Sequence, residues 1–130
     1  MVYARSNPNH SGKLPGDPDC RWQTLSDHLA GVSDLAMCFA LQARPGDEDF
    51  ALSAKWAGLL HDLGKYREEF QQYLKRERSS SAETAHAVYG AAASCFSMDN
   101  VAGAFAIAGH HTGLHDASDL QGLLSGNKLQ

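Results

Sequence analysis

The sequence contains little that would point to a membrane or to a disulfide framework. No apolar run approaches the roughly 18 residues that a membrane-spanning helix needs, and the opening segment MVYARSNPNHSG has no signal-peptide core. The three cysteines, Cys20, Cys38 and Cys95, are odd in number and far apart, and no CxxC pair suggests zinc or redox chemistry. We therefore expect reduced cysteines and a soluble cytoplasmic protein.

Charge and length limit the possible partners and the number of domains. Positive charge is scarce, with 11 lysines and arginines against 15 acidic residues and a net charge of −4. Such a chain has no overall attraction to a polyanion, so nucleic-acid binding would require local positive charge or bound metal. With 130 residues, 43% of them hydrophobic, the chain suits one globular domain, which we expect to span residues 1–130.

Apolar periodicity predicts helices. No stretch alternates apolar and polar residues convincingly, and there is no internal repeat or low-complexity segment. Residues 1–23, which hold three of the four prolines, are expected to form an irregular arm. Helices are predicted at 24–43, 50–63, 66–74, 83–97, from 99 or 100 to 110, and after 116. The predicted fold class is all-α, a compact bundle of about five or six helices.

The spacing also predicts details of the first two helices. Thr24 or Ser26 is a candidate N-cap of the first helix, and Asp47 is a candidate N-cap of the second. Apolar residues that recur every three or four positions should form one buried face of the first helix: Leu25, Leu29, Val32, Leu35, Ala36 and Phe39.

The placement of several of the seven histidines suggests chemistry. His28 lies in the apolar stripe of the first helix, so its imidazole should point inward, although a lone inward histidine is more often a hydrogen-bonded core group than a ligand. His61 and Asp62 end an almost wholly apolar helix, where a buried carboxylate is costly unless a positive charge meets it. A metal ion would supply that charge. The alternative is an Asp62–Lys65 pair, with His61 favoured by the helix dipole.

Three more histidines complete the candidate ligand set. His86 lies in an alanine-rich helix, and His110 and His111 end the fifth helix between glycines that permit both side chains to approach one ion. The alternative for the adjacent pair is a solvated helix end favoured by the dipole. Five imidazoles and one carboxylate suit divalent transition metals; Mn, Fe, Ni or Co are expected, with Mg and Zn as alternatives. Asp62 is the natural bridging ligand, because its two oxygens can contact two metal ions.

Two long motifs carry a family resemblance: AGLLHDLGKYREEFQQYL at 57–74 and AIAGHHTGL at 106–114, with YARS at 3–6 and WQTLSDHL at 22–29 near the start. They resemble the HD nuclease domain of the CRISPR type I helicase-nuclease, within the HD superfamily of metal-dependent phosphohydrolases. The resemblance implies an HD-domain helical bundle that cleaves single-stranded DNA as an endonuclease or exonuclease in antiviral defence. It also implies a superfamily 2 helicase domain or subunit and the CRISPR surveillance complex as partners.

The resemblance further implies how up to two metal ions would be held. The first ion would be held by His28, His61 and Asp62. The second would be held by Asp62, His86, His110 and His111. Asp62 and Lys65 would be the catalytic residues, with Lys65 binding phosphate or stabilising developing negative charge.

The sequence departs from the family pattern at three places. Ala87 stands where the family usually has serine, and His115 stands where proline is common and is expected to be an exposed loop histidine. The last metal carboxylate of the family, on a helix well after the GHH motif, has no counterpart before Gln130. We do not expect Asp116 or Asp119 to reach the first metal. The chain is then either a fragment truncated before the last ligand helix or a naturally short relative, which leaves its own activity open.

Two other functions stay open on the sequence alone. One is an HD phosphohydrolase that acts on nucleotides, since the same metals cleave phosphomonoesters and phosphodiesters. The other is a truncated, metal-deficient regulatory relative, suggested by the short C-terminus and by Ala87.

Overall fold

The computed structural model describes residues 1–5, 14–15, 17, 22–75 and 86–126. Within these ranges the chain forms six α-helices and one two-stranded sheet, so the predicted all-α class is confirmed. The strands are β1 (Tyr3–Arg5) and β2 (Gln23–Thr24). The helices are α1 (Leu25–Ala43), α2 (Glu48–Leu60), α3 (Glu68–Leu74), α4 (His86–Ala92), α5 (Val101–Gly109) and α6 (Ala117–Ser125). A 3₁₀ helix at Leu63–Tyr66 follows α2, and a π-helical turn at Ala93–Ser97 follows α4.

Four helices begin at polar residues whose side chains accept a hydrogen bond from the amide three residues later. These N-caps, which begin α1, α2, α5 and α6, are Thr24, Asp47, Asn100 and Asp116. Each cap satisfies an amide that has no partner inside its helix. The candidate caps Thr24 and Asp47 are confirmed, and the cap at Asp47 starts α2 at Glu48, two residues before the predicted start at Phe50.

The predicted bounds of three helices are wrong. The third helix begins at Glu68 rather than at Tyr66, because Tyr66 belongs to the 3₁₀ helix. The second helix ends at Leu60, three residues before the predicted end at Leu63, because the chain tightens there into the 3₁₀ helix. The amide of Lys65 donates to the carbonyl of Asp62 at 2.9 Å within that tighter turn. The fourth helix changes to π-helical geometry at Ala93. Its predicted start at residues 83–85 lies outside the described residues.

The expectation of an irregular arm over residues 1–23 is wrong at Tyr3–Arg5, which form β1, and at Gln23, which belongs to β2. Strand β1 pairs antiparallel with β2, with Tyr3 opposite Thr24. The amide of Leu25 also donates to the carbonyl of Val2 at 2.9 Å, which fastens the arm to the start of α1. Strands of two or three residues are too short to show an alternating pattern, so periodicity could not predict them.

Glycines allow α2 to pack closely against α1 and α4, the helices that carry or precede candidate ligands. A Cβ added at Gly58 would lie 2.7 Å from Cα of Ser33, and one added at Gly90 would lie 1.9 Å from the carbonyl oxygen of Leu60. The main hydrophobic cluster lies beside these contacts, between α4, α5 and α6; its buried members are Ala91, Ala104, Ile107, Ala108 and Leu120. A second cluster joins β1 to α1 through Ala4, Leu25 and Leu29.

The buried face of α1 differs from the predicted stripe. Leu25 and Leu29 are buried as expected, but Leu35 and Phe39 are 57% and 61% exposed. The buried positions further along α1 are Ser33 and Ala40. The close crossing of α1 over Gly58 of α2 admits small side chains better than large ones, which places the larger residues outside.

Two expectations concern the whole chain. In the part of the chain that the structure describes, no helix has both the length and the apolar character needed to cross a bilayer. The extent of a single domain over residues 1–130 stays a prediction.

Candidate metal centre

All six predicted ligand side chains come together around Asp62. They come from four segments of the chain: His28 from α1, His61 and Asp62 from just after α2, His86 from the start of α4, and His110 and His111 from just after α5. The structure therefore assembles the predicted set from residues up to 83 positions apart, from 28 to 111. Their role as metal ligands stays a proposal, which the geometry below supports.

One oxygen of the Asp62 carboxylate faces the first three-residue set. Oδ2 lies 3.1 Å from Nε2 of His28 and 3.2 Å from Nε2 of His61. It also lies 2.8 Å from Nζ of Lys65. His28, His61 and Asp62 form a group that could hold one metal ion, which we call the Oδ2 group. The contact with Lys65 shows that the alternative interpretation of Asp62, a pair with this lysine, is also present in the geometry.

The other oxygen faces the second set. Oδ1 of Asp62 lies 3.1 Å from Nε2 of His86 and 3.5 Å from Nε2 of His110. Nε2 of His111 lies 3.0 Å from Nε2 of His86. Asp62, His86, His110 and His111 form a second group that could hold a metal ion, which we call the Oδ1 group. The two groups share only Asp62, so one carboxylate lies between two sets of imidazoles.

The ligand atoms of the Oδ1 group are better placed to bind a cation than to form hydrogen bonds with one another. Asp62 and His86 are 2% and 1% exposed, and among the described residues neither Oδ1 of Asp62 nor Nδ1 of His86 has a hydrogen-bond partner. The nitrogens around Oδ1 are close to it but do not point at it as donors. A buried carboxylate oxygen without a donor is costly unless a positive charge meets it. Imidazole and carboxylate donors are those that divalent transition metals take, so the cluster is compatible with divalent metal binding.

Helix carbonyls orient two of the rings. Nδ1 of His61 lies 2.7 Å from the carbonyl oxygen of Gly58, and Nδ1 of His110 lies 2.5 Å from that of Ile107. A carbonyl can only accept, so Nδ1 carries a proton in both rings, and in the neutral form of each ring the lone pair is on Nε2. Both free nitrogens face Asp62. Fixing the tautomer in this way prepares a histidine for metal binding.

The charge of Asp62 is strongly favoured. Burial by itself would raise the pKa of this carboxyl group, but the polar groups around it outweigh burial and hold the pKa well below its ordinary value of 3.8. These groups are His110, His61, His86 and Lys65. Asp62 is therefore ionised at every pH at which the protein would act.

The histidines respond to the same surroundings in different ways. Burial lowers the pKa of His28, and it lowers the pKa of His111 with help from neighbouring imidazoles. Burial also acts to lower the pKa of His61, but its hydrogen bond and charge interaction with Asp62 outweigh burial and raise it. His28 and His111 are thus neutral near pH 7, as metal binding requires, whereas protons compete for His61.

The remaining sequence candidates lie outside the cluster. His115 contacts Thr112 at 3.2 Å and lies 4.0 Å from a carboxylate oxygen of Asp119, and Asp116 caps α6. As expected, neither aspartate belongs to the groups around Asp62. The side chain of His115 is half-buried rather than freely exposed, because it packs against its own turn. Ala87 is buried beside His86.

Sequence reasoning missed residues that position the ligands rather than bind metal. A Cβ added at Gly64 would lie 2.4 Å from Cα of His86, so only glycine allows the 3₁₀ helix to lie against the start of α4. Gln71 is buried and hydrogen bonded to both β1 and the 3₁₀ helix. The sequence signal for Gly64 is its place two residues after Asp62, directly after the predicted end of the second helix.

Comparison with known proteins agrees with this geometry. The family model described as HD domain matches residues 25–128, which include α1 to α6 and all six candidate ligands. No curated protein and no solved structure matches the chain. Because the match covers well over half of the chain, the chain belongs to the HD domain family, and this membership implies a metal-dependent phosphohydrolase.

Proposed function

We propose that the protein is a nuclease of the HD family that cleaves single-stranded DNA in CRISPR type I interference. The observation that carries the proposal is the division of imidazoles between the two oxygens of Asp62. A carboxylate shared between two metal ions is the arrangement that two-metal phosphodiester cleavage uses. When bound, divalent ions would activate a water molecule and neutralise the charge that develops on the phosphate.

The exposure of the site favours a strand of DNA over a free nucleotide. The side chain of Asp62 is 3% exposed, whereas those of His28 and His110 are 24% and 21% exposed. The carboxylate is therefore buried beneath histidines that reach the surface. A phosphodiester inside a polymer can approach such an open rim, whereas small ligands usually bind in pockets that enclose most of their surface.

Residues of the chain supply positive charge beside the metal ligands. Nζ of Lys65 lies 2.8 Å from Oδ2 of Asp62, where it would contact a phosphate oxygen held over the carboxylate and stabilise its negative charge. Arg67 follows two residues later, and its guanidinium lies 4.7 Å from the centre of the Tyr89 ring on α4. It also pairs with Glu69 at 3.2 Å. Lys65 and Arg67 are thus two cations close to the ligand set, each also paired with a carboxylate, in a chain whose net charge is −4.

The proposed partners follow from the sequence motifs and from this charge. A domain with a net charge of −4 would capture free DNA poorly, so its substrate strand should be delivered by other components. The motifs at 57–74 and 106–114 suggest a superfamily 2 helicase domain or subunit and the CRISPR surveillance complex as those components.

Metal analysis and a cleavage assay together test the proposal. Metal-free protein is reloaded with Mn²⁺ or Ni²⁺, its metal content is measured, and it is incubated with circular single-stranded DNA, duplex DNA or nucleoside phosphates. We expect bound metal and cutting of the single-stranded circle. Asp62→Asn and His61→Ala should lose both metal and cleavage. His115→Ala is the matched control, because it removes a histidine outside the two groups and should behave as the wild type does.

Each alternative predicts a different outcome. Hydrolysis of nucleoside phosphates without cutting of DNA would indicate a nucleotide enzyme. Metal content well below one ion per chain, without activity on any substrate, would indicate a regulatory relative. Lack of DNA cleavage by metal-loaded protein, in this chain and in a longer one that carries the last carboxylate of the family, would refute the proposal.

A further inference from the structure

We propose that Gln71 is a positioning residue that ties strand β1 to the 3₁₀ helix and thereby holds the ammonium of Lys65 against Oδ2 of Asp62. The inference rests on the proposed function, because it concerns the lysine assigned there to phosphate. It adds Gln71 of α3 and strand β1 to the parts of the protein that position Lys65 at the site.

The side chain of Gln71 joins two distant backbone segments. Gln71 is 6% exposed. Its Oε1 accepts from the amide of Tyr3 at 3.0 Å, and its Nε2 donates to the carbonyl of Tyr3 at 2.9 Å. Nε2 also donates to the carbonyl of Lys65 at 2.8 Å. One side-chain amide thus pairs with both polar backbone groups of a β1 residue, as a neighbouring strand would, and with the backbone of the lysine.

The ammonium of Lys65 is held by the elements that Gln71 joins. Besides the contact with Asp62, Nζ lies 3.4 Å from the carbonyl oxygen of Ala4 in β1. It also lies 5.2 Å from the centre of the Phe70 ring, next to Gln71 on α3. A free lysine side chain samples many rotamers, so a fixed position requires contacts of this kind. Removing the hydrogen bonds of the Gln71 side chain should release β1, and with it the Ala4 carbonyl that accepts from Nζ of Lys65.

The next residue provides a control. The side-chain amide of Gln72 points along its own helix, where it lies 3.4 Å from a carboxylate oxygen of Glu68. Two adjacent glutamines on α3 therefore differ in their contacts: Gln71 bridges two segments, and Gln72 contacts its own helix. The same substitution at the two positions separates positioning of the lysine from a general effect on the helix.

Chemical labelling of lysines in the metal-free protein tests the inference. The variants are Gln71→Met, which keeps the side-chain length without hydrogen bonds, and Gln71→Asn, which keeps the polarity but is one methylene shorter. Gln72→Met is the control. Brief reductive methylation followed by mass spectrometry measures each lysine, with Lys55 on α2 as the internal reference. We expect Lys65 to react roughly fivefold faster in both Gln71 variants, which is the factor for loss of the single hydrogen bond between Nζ and the Ala4 carbonyl. The rate at Lys55 should be unchanged.

Cleavage kinetics give a second measurement. With DNA as substrate and metal content equal to that of the wild type, Gln71→Met should lower kcat, while Gln72→Met should not. An unchanged labelling rate at Lys65, or an equal rise at Lys55, would overturn the inference, because the role of Gln71 would then be absent or merely structural. A wild-type protein that fails to cut DNA would count against the proposed function and leave the labelling result intact, so the two failures are distinguishable.

Discussion

Replacing Gly90 with alanine tests the close helix contact on which the metal centre depends. A Cβ at this position of α4 would lie 1.9 Å from the carbonyl oxygen of Leu60 and 2.9 Å from its carbon. The obstacle is backbone, which cannot rotate away. To restore a contact of 3.0 Å, α4 and the end of α2 must separate by roughly 1 Å.

The size of the effect follows from two opposing terms. Overpacking of this kind costs about 1–3 kcal/mol and occasionally more, while alanine gains about 1 kcal/mol over glycine inside a helix. Because the clash with the Leu60 carbonyl is severe, we take about 3 kcal/mol for overpacking, and after the gain from alanine the free energy of unfolding of the metal-free protein should fall by about 2 kcal/mol. Leu60 directly precedes His61, and α4 begins with His86, so the same separation should lengthen the 3.1 Å distance between Oδ1 of Asp62 and His86 and weaken metal binding.

Urea denaturation and a calorimetric titration with Mn²⁺ measure the two effects. Gly31→Ala is the matched control, because Gly31 lies within α1 and a Cβ there would meet no atom within 4 Å. That variant should be more stable than the wild type by up to about 1 kcal/mol. If Gly90→Ala proved as stable as Gly31→Ala and bound metal as the wild type does, the close-contact reasoning would be wrong.

Three other measurements test the link between α2 and α5, the binding of metal through Asp62, and the competition between metal and protons for His61. Asn100→Ala removes the contacts of 2.8 and 3.1 Å with Ser53 and the cap of α5, so the free energy of unfolding in urea should fall by about 2 kcal/mol. The exposed cap variant Asp116→Ala should lose only about 1 kcal/mol, and equal losses would contradict this argument. Mn²⁺ at 100 times its Kd should raise the free energy of unfolding by about 2.7 kcal/mol, seen as a higher Tm. Asp62→Asn should show no such rise, and a rise equal to that of the wild type would exclude Asp62 as a ligand. Because Asp62 raises the pKa of His61 above 6.5 despite burial, metal affinity should weaken as the pH falls through that raised pKa, with protons released on binding. Calorimetry in buffers of different ionisation heat measures both, and constant affinity from about pH 8 to about pH 6 would show that His61 does not bind the metal.

Local sequence was sufficient to predict most helices, because the interactions that begin a helix lie within a few residues. Thr24 and Asp47 cap α1 and α2 by bonding amides three residues away. The candidate ligands were also named from the sequence: HD and GHH are short motifs whose chemistry is visible in the residues themselves, and His28 and His86 lie on predicted helices. The sequence predicted less well where helix geometry changes, as at Leu60 and Ala93, because neighbouring segments act there.

The sequence by itself determined which side chains can act as metal donors and where most helices begin. The family resemblance already implied two ligand sets that share Asp62, but only the tertiary structure showed that Oδ2 faces His28 and His61 while Oδ1 faces His86 and His110. The tertiary structure also decided that Gly64 and Gly90 let the ligand-bearing segments approach, and that Gln71 fastens a strand 68 residues away in the sequence. These features depend on contacts between segments distant in the chain, and no local propensity encodes how closely two backbones will pack.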